Sequence, residues 1–155
     1  MAKKFKYDWS KFTLKAAYNA SPSKLFKLWT NEKDLCKWFL VAAKMELKKG
    51  GEYTWEWMLG AKDKGKVLAV RKNTLLRFTF AGSICEVKFK KDGKSCLLIL
   101  RQYNIPTDEK RKVGTHLSCS IGWTFFLTNL KSYIETGVDL REYDLKHLRE
   151  GTVFY

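Results

Sequence analysis

A chain of 155 residues is long enough for one domain with a sizeable core, and no run in it approaches the roughly 18 apolar residues a bilayer span needs. The net charge of +14 favours anionic partners through long-range steering. Lys nevertheless outnumbers Arg by 24 to 6, whereas specific phosphate and base readout leans on Arg, so no specific nucleic-acid partner is expected.

The charge is uneven: residues 1–50 carry 12 basic and 4 acidic groups, residues 101–155 carry 8 and 7. The four cysteines, Cys36, Cys85, Cys96 and Cys119, form no CxxC pair and no metal-ligand spacing, so neither a metal nor a cofactor is expected. Lysines 3, 4 and 6 are followed by no apolar segment of the signal-peptide kind. The expectation is a reduced, soluble, cytoplasmic protein without membrane insertion. An aromatic content of 15%, with six Trp, leaves two readings: a bulky core, or a core partly hollowed into an aromatic-lined pocket.

Phe12, Leu14, Ala16 and Tyr18 alternate with polar residues, the period of a half-buried strand. Ser21 is suited to cap a helix that begins with Pro22 and carries Leu25, Phe26, Leu28 and Trp29 on one face. Asn31 can cap a second helix, Glu32 to Trp38. The pattern then becomes β. Leu40 to Leu47 reads as a strand, followed by a turn at Lys49-Gly50-Gly51 and the alternating Tyr53, Trp55, Trp57. Lys62-Asp63-Lys64-Gly65 reads as a loop and turn. Strands follow at residues 66–71, 75–80, 84–89 and 96–103, with tight turns at Lys72-Asn73, Ala81-Gly82 and Asp92-Gly93. An antiparallel meander results.

One long helix closes the pattern, from Asp108 to Glu135, and Gly137 stops it. Trp123, Leu127, Leu130 and Ile134 share one face. His116, seven residues before Trp123, falls on nearly the same face. Val113, Leu117, Ile121 and Phe125 drift around the helix, and Phe126 and Tyr133 fall away from the Trp123 stripe, so burial on two sides is expected. The tail Val153-Phe154-Tyr155, or the second subunit of a homodimer, is the expected cover for that rear side.

Three stretches carry a resemblance. They are Ala20-Ser21-Pro22 with Leu25-Phe26, Trp29-Thr30 and Trp38-Phe39; Gly50-Gly51-Glu52-Tyr53 through Gly65-Lys66-Val67-Leu68 to Leu76-Arg77-Phe78; and Gly122-Trp123 with Leu127, Leu130-Lys131, Tyr133 and Glu135. In that order and spacing the chain resembles bacterial proteins similar to the C-terminal domain of the Hsp90 ATPase activator, within the START-like (SRPBCC) superfamily. Two departures stand out: Lys72-Asn73 replaces a proline commonly expected after the Gly65–Val70 strand, and the segment after Gly137 is longer than in many members.

The resemblance implies an α+β, helix-grip (START-like, Bet v 1-like) fold. An antiparallel sheet of six to seven strands would wrap around the long C-terminal helix, with two short helices after the first strand. One START-like domain spans 1–155, with a core at about 9–137 and a C-terminal extension at 138–155. The superfamily's cavity between sheet and helix makes non-enzymatic binding of a small hydrophobic or amphipathic ligand the leading functional expectation. The activator has an additional N-terminal domain for which this chain has no room, so a protein-interaction or stress-adaptor role ranks second. A cyclase- or hydrolase-like enzyme ranks third.

The expected pocket is built from Trp38, Tyr53, Trp55, Trp57, Phe78, Phe80, Leu98, Leu100, Trp123 and Leu127, with Gln102, His116, Ser120 and Thr124 as polar contacts. Turning the aromatic face of the Tyr53–Trp57 strand inward leaves Glu56 solvated and avoids burying an unpaired carboxylate. By the same logic Arg77 faces out. His116 would be either a ligand hydrogen-bonder or acid/base, or a partly exposed helix histidine; His147 reads as solvated. No catalytic triad, P-loop or GxGxxG is apparent, so no catalytic residues are assigned.

Overall fold

The computed structural model describes residues 2–149. Seven antiparallel strands form one sheet in the order β1-β7-β6-β5-β4-β3-β2. They are β1 (Phe12–Tyr18), β2 (Ala42–Met45), β3 (Glu52–Glu56), β4 (Lys62–Arg71), β5 (Leu75–Phe80), β6 (Ser83–Asp92) and β7 (Ser95–Tyr103). Strands β2 to β7 form a meander, and β1 returns to pair with β7, Phe12 opposite Gln102 and Tyr18 opposite Cys96. A register shift between Val67 and Ala69 bends β4 and so helps the sheet to curl.

Between β1 and β2 lie α1 (Pro22–Thr30) and α2 (Glu32–Leu35). Their caps follow the sequence: the Ser21 hydroxyl accepts from Lys24 N–H at 3.2 Å and Asn31 Oδ1 from Asp34 N–H at 3.1 Å. The C-terminal helix is continuous but not uniform. It opens as α3 (Glu109–Arg111), widens into a π-helical segment over Lys112–Leu117, and runs on as α4 (Ser118–Thr136). Asp108 caps its start, and Gly137 ends it at φ +74, the left-handed conformation that glycine adopts freely. A short α5 (Leu145–Arg149) follows.

The inner face of the sheet packs on α1 and α4 around Trp29, Trp38, Trp55, Phe78, Trp123, Leu127 and Leu130, all buried. Tyr53 and Trp55 point inward while Glu56 is half-exposed beside Lys62, as the burial cost of a carboxylate requires. Arg77 lies on the outer face, paired with Glu86.

Several sequence expectations are corrected. The second helix stops at Leu35 rather than Trp38, and the Leu40–Leu47 strand is confined to Ala42–Met45. Lys62–Gly65 is the start of β4, not a turn; the chain reverses earlier, at Met58–Gly60, where Leu59 and Gly60 both take positive φ. The polar composition of 62–65 belongs to a strand end whose lysines pair with β3, Lys66 opposite Glu52 and Lys62 opposite Glu56. Phe126 and Tyr133 are not on the far side of the helix, because both pack against the core. Val113, Leu117 and Ile121 are exposed on the outside of the helix. The tail Val153-Phe154-Tyr155, expected to cover Phe126 and Tyr133, lies outside the described residues.

Candidate functional site

The deep space between helix and sheet is filled with rings. Trp123 stacks on Trp29 and Phe39 at centroid distances of 5.6 and 5.2 Å, and Phe80 tilts against it at 5.1 Å. Trp55 lies 5.1 Å from Phe78 and 4.4 Å from Tyr53. Aromatic contacts of this kind are favourable in offset and edge geometries and leave little room for a ligand.

The mouth is open. A cleft of about 570 Å³ opens where the β3–β4 turn, the end of β5 and the first half of the C-terminal helix diverge. Its floor is Trp123, Phe80, Phe39 and Phe126; Trp57, Met58 and Leu59 form one wall. The helix contributes Gly114, Ser118, Cys119 and Gly122, small residues that keep that wall low. The rim is polar: Lys62 and Asp63 from β4, and Arg141 and Glu142 from the segment after Gly137. Leu59 holds a left-handed backbone, costly for a bulky side chain, and stands exposed at the mouth.

Arg141 ties this rim together. Its guanidinium is almost fully buried and donates to Leu40 O and Cys36 O, each at 2.9 Å, and to the Asp139 carboxylate at 2.8 Å. Burial pushes the Asp139 carboxyl up, but donors from Arg141, Tyr143 and Asn129 outweigh it and hold the pKa at about 2. Asn129, fully buried on α4, also donates to Trp38 O at 2.8 Å and accepts from Leu140 N–H at 2.6 Å. The chain after the helix is thereby fastened across the cleft's edge. Burial raises the Cys119 thiol, which keeps it protonated at the wall.

Of the expected pocket residues, Trp57, Phe80 and Trp123 meet at this cleft. Trp38, Tyr53, Trp55, Phe78, Leu98 and Leu100 lie in the packed core behind it. Gln102 is fully buried and spends its amide internally, accepting from Trp123 Nε1 at 3.0 Å and donating to the Ser83 hydroxyl at 2.8 Å. Thr124 and Leu127 border a separate groove of about 160 Å³ against β1. The Ser120 and Thr124 hydroxyls donate to carbonyls of their own helix, Leu117 O and Ser120 O.

His116 is buried rather than partly exposed, and it does not line the cleft. Its Nδ1 is 2.8 Å from Trp9 O and its Nε2 is 2.8 Å from the Tyr7 hydroxyl, so the N-terminal segment covers it. The π-helical segment explains the misplacement. It takes more residues per turn, and α-helical phase counted back from Trp123 fails across it. His147, half-exposed, pairs with Glu142 and Asp144, and its pKa is raised by the Glu142 hydrogen bond.

Sequence reasoning missed Phe39, Phe126, the Arg141–Glu142 rim and the small helix face. Only the last left a usable signal: Gly114, Ser118 and Gly122 recur every fourth residue beside Trp123. Among the described residues no group of three or more His, Cys, Asp or Glu could hold a metal ion, and no helix is long and apolar enough to cross a membrane.

A seven-stranded antiparallel sheet closed by one long helix, with two short helices after the first strand and a cleft at the helix–sheet mouth, defines the helix-grip class. Solved structures agree. A Staphylococcus saprophyticus protein, SSP2350, aligns with a TM-score of 0.74 at 18% identity, covering 84% of this chain and 96% of its own. The Aha1 dimer from Colwellia psychrerythraea aligns at 0.71 and 18% identity, covering 82% and 97%. DynU16, of the dynemicin biosynthetic locus, aligns at 0.68 and 16%, covering 83% and 48%. The profile of the family described as Activator of Hsp90 ATPase homolog 1-like protein matches residues 19–135, and this chain belongs to that family. No curated protein sequence matches it.

Proposed function

We propose that the protein binds a small hydrophobic or amphipathic molecule in the Trp57–Phe80–Trp123 cleft, without catalysing its conversion. The observation that carries this reading is the cleft itself, whose volume of about 570 Å³ lies within the usual ~300–1,000 Å³ range of small-molecule sites. Aromatic floor and polar rim suit a ligand with an apolar body and a polar end near Lys62, Asp63 and Glu142. Apolar burial at ~25 cal/mol per Å² would supply most of the affinity. DynU16 belongs to a biosynthetic locus, which is compatible with small-molecule handling on this fold.

An acid/base role for His116 has no geometric support, because the side chain faces Tyr7 and Trp9 instead of the cleft. Native mass spectrometry of the protein purified from its own cells tests the proposal. A retained small molecule, lost when Ser118→Trp fills the helix wall, supports it. Bare protein from every preparation argues against it.

A homodimer is the second element of this reading. Val113, Leu117 and Ile121 are 64%, 41% and 56% exposed on one outer stripe, and the Colwellia relative is described as a dimer. Light scattering should give a dimer that Leu117→Glu with Ile121→Glu converts to monomer; a wild-type monomer at high concentration would remove this element.

A further inference from the structure

The outer face of the sheet, away from the cleft, is basic on both halves, and the halves differ in what lies between their cations. At the β2–β3–β4 end the outward lysines Lys62 and Lys66 stand opposite Glu56 and Glu52, while Lys44 and Lys64 flank the polar Thr54. On β1, β7, β6 and β5 the outward positions include Lys15, Arg77, Lys88, Lys90 and Arg101. Against them stand Glu86, buried between Arg77 and Lys88, and Asp92 at the hairpin tip.

The middle strand of that half adds an apolar seam. Leu97 and Ile99 are half-buried on the outer face of β7. Ile99 lies between Lys15 on β1 and Lys88 on β6, and Leu97 lies beside Lys90. Two strand spacings of about 4.8 Å separate the flanking lysine rows, roughly the 10–12 Å width of an α-helix with its side chains. Leu97 and Ile99 are about 6.8 Å apart along the strand, close to the ~6 Å rise between residues i and i+4 of a helix.

We propose that this face docks an acidic amphipathic helix of a partner protein. Its apolar residues would lie along Leu97 and Ile99, and its carboxylates would meet Lys15 on one side and Lys88 and Lys90 on the other. Aliphatic side chains match the seam better than nucleobases, which stack on open aromatic rings; the one ring of this half, Tyr103, has the Arg101 guanidinium over it at 4.8 Å. An anionic bilayer would draw on the whole basic face, Lys44, Lys62, Lys64 and Lys66 included, whereas the Leu97–Ile99 seam with lysines on both sides is confined to β7 and its two neighbours.

The test is fluorescence anisotropy with a labelled synthetic helix of about 15 residues, Leu at i, i+4 spacing and Glu on both flanks, in about 0.15 M salt. The expected result is saturable binding, weakened at least about tenfold by combined Lys15→Gln, Lys88→Gln and Lys90→Gln. Ile99→Thr, which keeps a β-branched residue and the charge, should also weaken it several-fold. Unchanged binding in either variant overturns the proposal, as does a thymidine oligonucleotide that competes more strongly than the unlabelled peptide. Binding of 1,8-anilinonaphthalene sulfonate at the cleft should be the same in all variants, which keeps this test separate from the cleft's function.

Discussion

Replacing Arg141 by Met should destabilise the protein far more than a surface arginine would. The side chain is 6% exposed, and its guanidinium satisfies Leu40 O, Cys36 O and the Asp139 carboxylate. Met approximates the length of the stem but donates nothing. Two carbonyls then lose their donor and the carboxylate loses its charged partner, keeping only Tyr143, Asn129 and the backbone N–H of residue 141, and breaking such a buried pair costs about 3–5 kcal/mol. For a domain of this size that corresponds to a Tm lower by roughly 8–16 °C. The pH dependence gives an independent check. Asp139 has a folded pKa of about 2 against the usual 3.8, so it contributes stability above pH 4 that is lost as pH falls through 2. Its side chain is 23% exposed, which leaves a contribution of about 2 kcal/mol. Urea denaturation of wild type, Arg141→Met and the double variant with Asp139→Asn, followed from pH 6 to pH 2, measures both quantities. Arg141→Met should be the least stable at pH 6, with its acid-induced loss flattened. A single variant within 1 kcal/mol of wild type, with the same acid limb, would refute the reasoning.

Three further substitutions probe the parts that hold the cleft. A Cβ on Gly65 would meet Thr79 Oγ1 and the Tyr53 ring at 2.5 Å, so Gly65→Val should cost about 1–3 kcal/mol in thermal unfolding; an unchanged Tm would show that β4 has room to shift. Gln102→Leu leaves the buried Trp123 indole N–H without its acceptor, and about 1–3 kcal/mol of stability should be lost together with a change in tryptophan emission. Tyr7→Phe removes the hydroxyl that meets His116 Nε2, at about 1 kcal/mol, and should speed amide exchange in Lys6–Ser10 without affecting β4; equal exchange would mean that the N-terminal segment is held by its rings alone.

Much of the fold was legible because its signals are local. Ser21-Pro22, Asn31, Asp108 and Gly137 mark helix ends through their own backbone chemistry, and they do so in the structure. Alternation placed Tyr53, Trp55, Phe78 and Leu100 inside for the same reason. The β3–β4 turn was misread because Lys62–Gly65 looks like a loop by composition, while its lysines are cross-strand partners on β3, Lys62 of Glu56 six residues earlier and Lys64 of Thr54 ten residues earlier. The site was legible only in part. Pattern says that a ring faces inward, not whether another ring already fills the space there. Trp55 and Trp57 are two residues apart on one face, yet Trp55 is sealed in the core and Trp57 borders the cleft. His116 was misplaced by a π-helical segment that no periodicity announces, and Arg141 reaches the rim only through tertiary hydrogen bonds.

The central claim is that the open mouth of the helix–sheet interface takes an apolar body. Indole N–H resonances of the six tryptophans offer the most direct measurement, during titration with 1,8-anilinonaphthalene sulfonate as an amphipathic probe. The account predicts saturable shifts at Trp57, which borders the cleft, and at Trp123 on its floor, while Trp9, against His116, stays unmoved. Shifts that lead at Trp9, or a titration that never saturates, would contradict it.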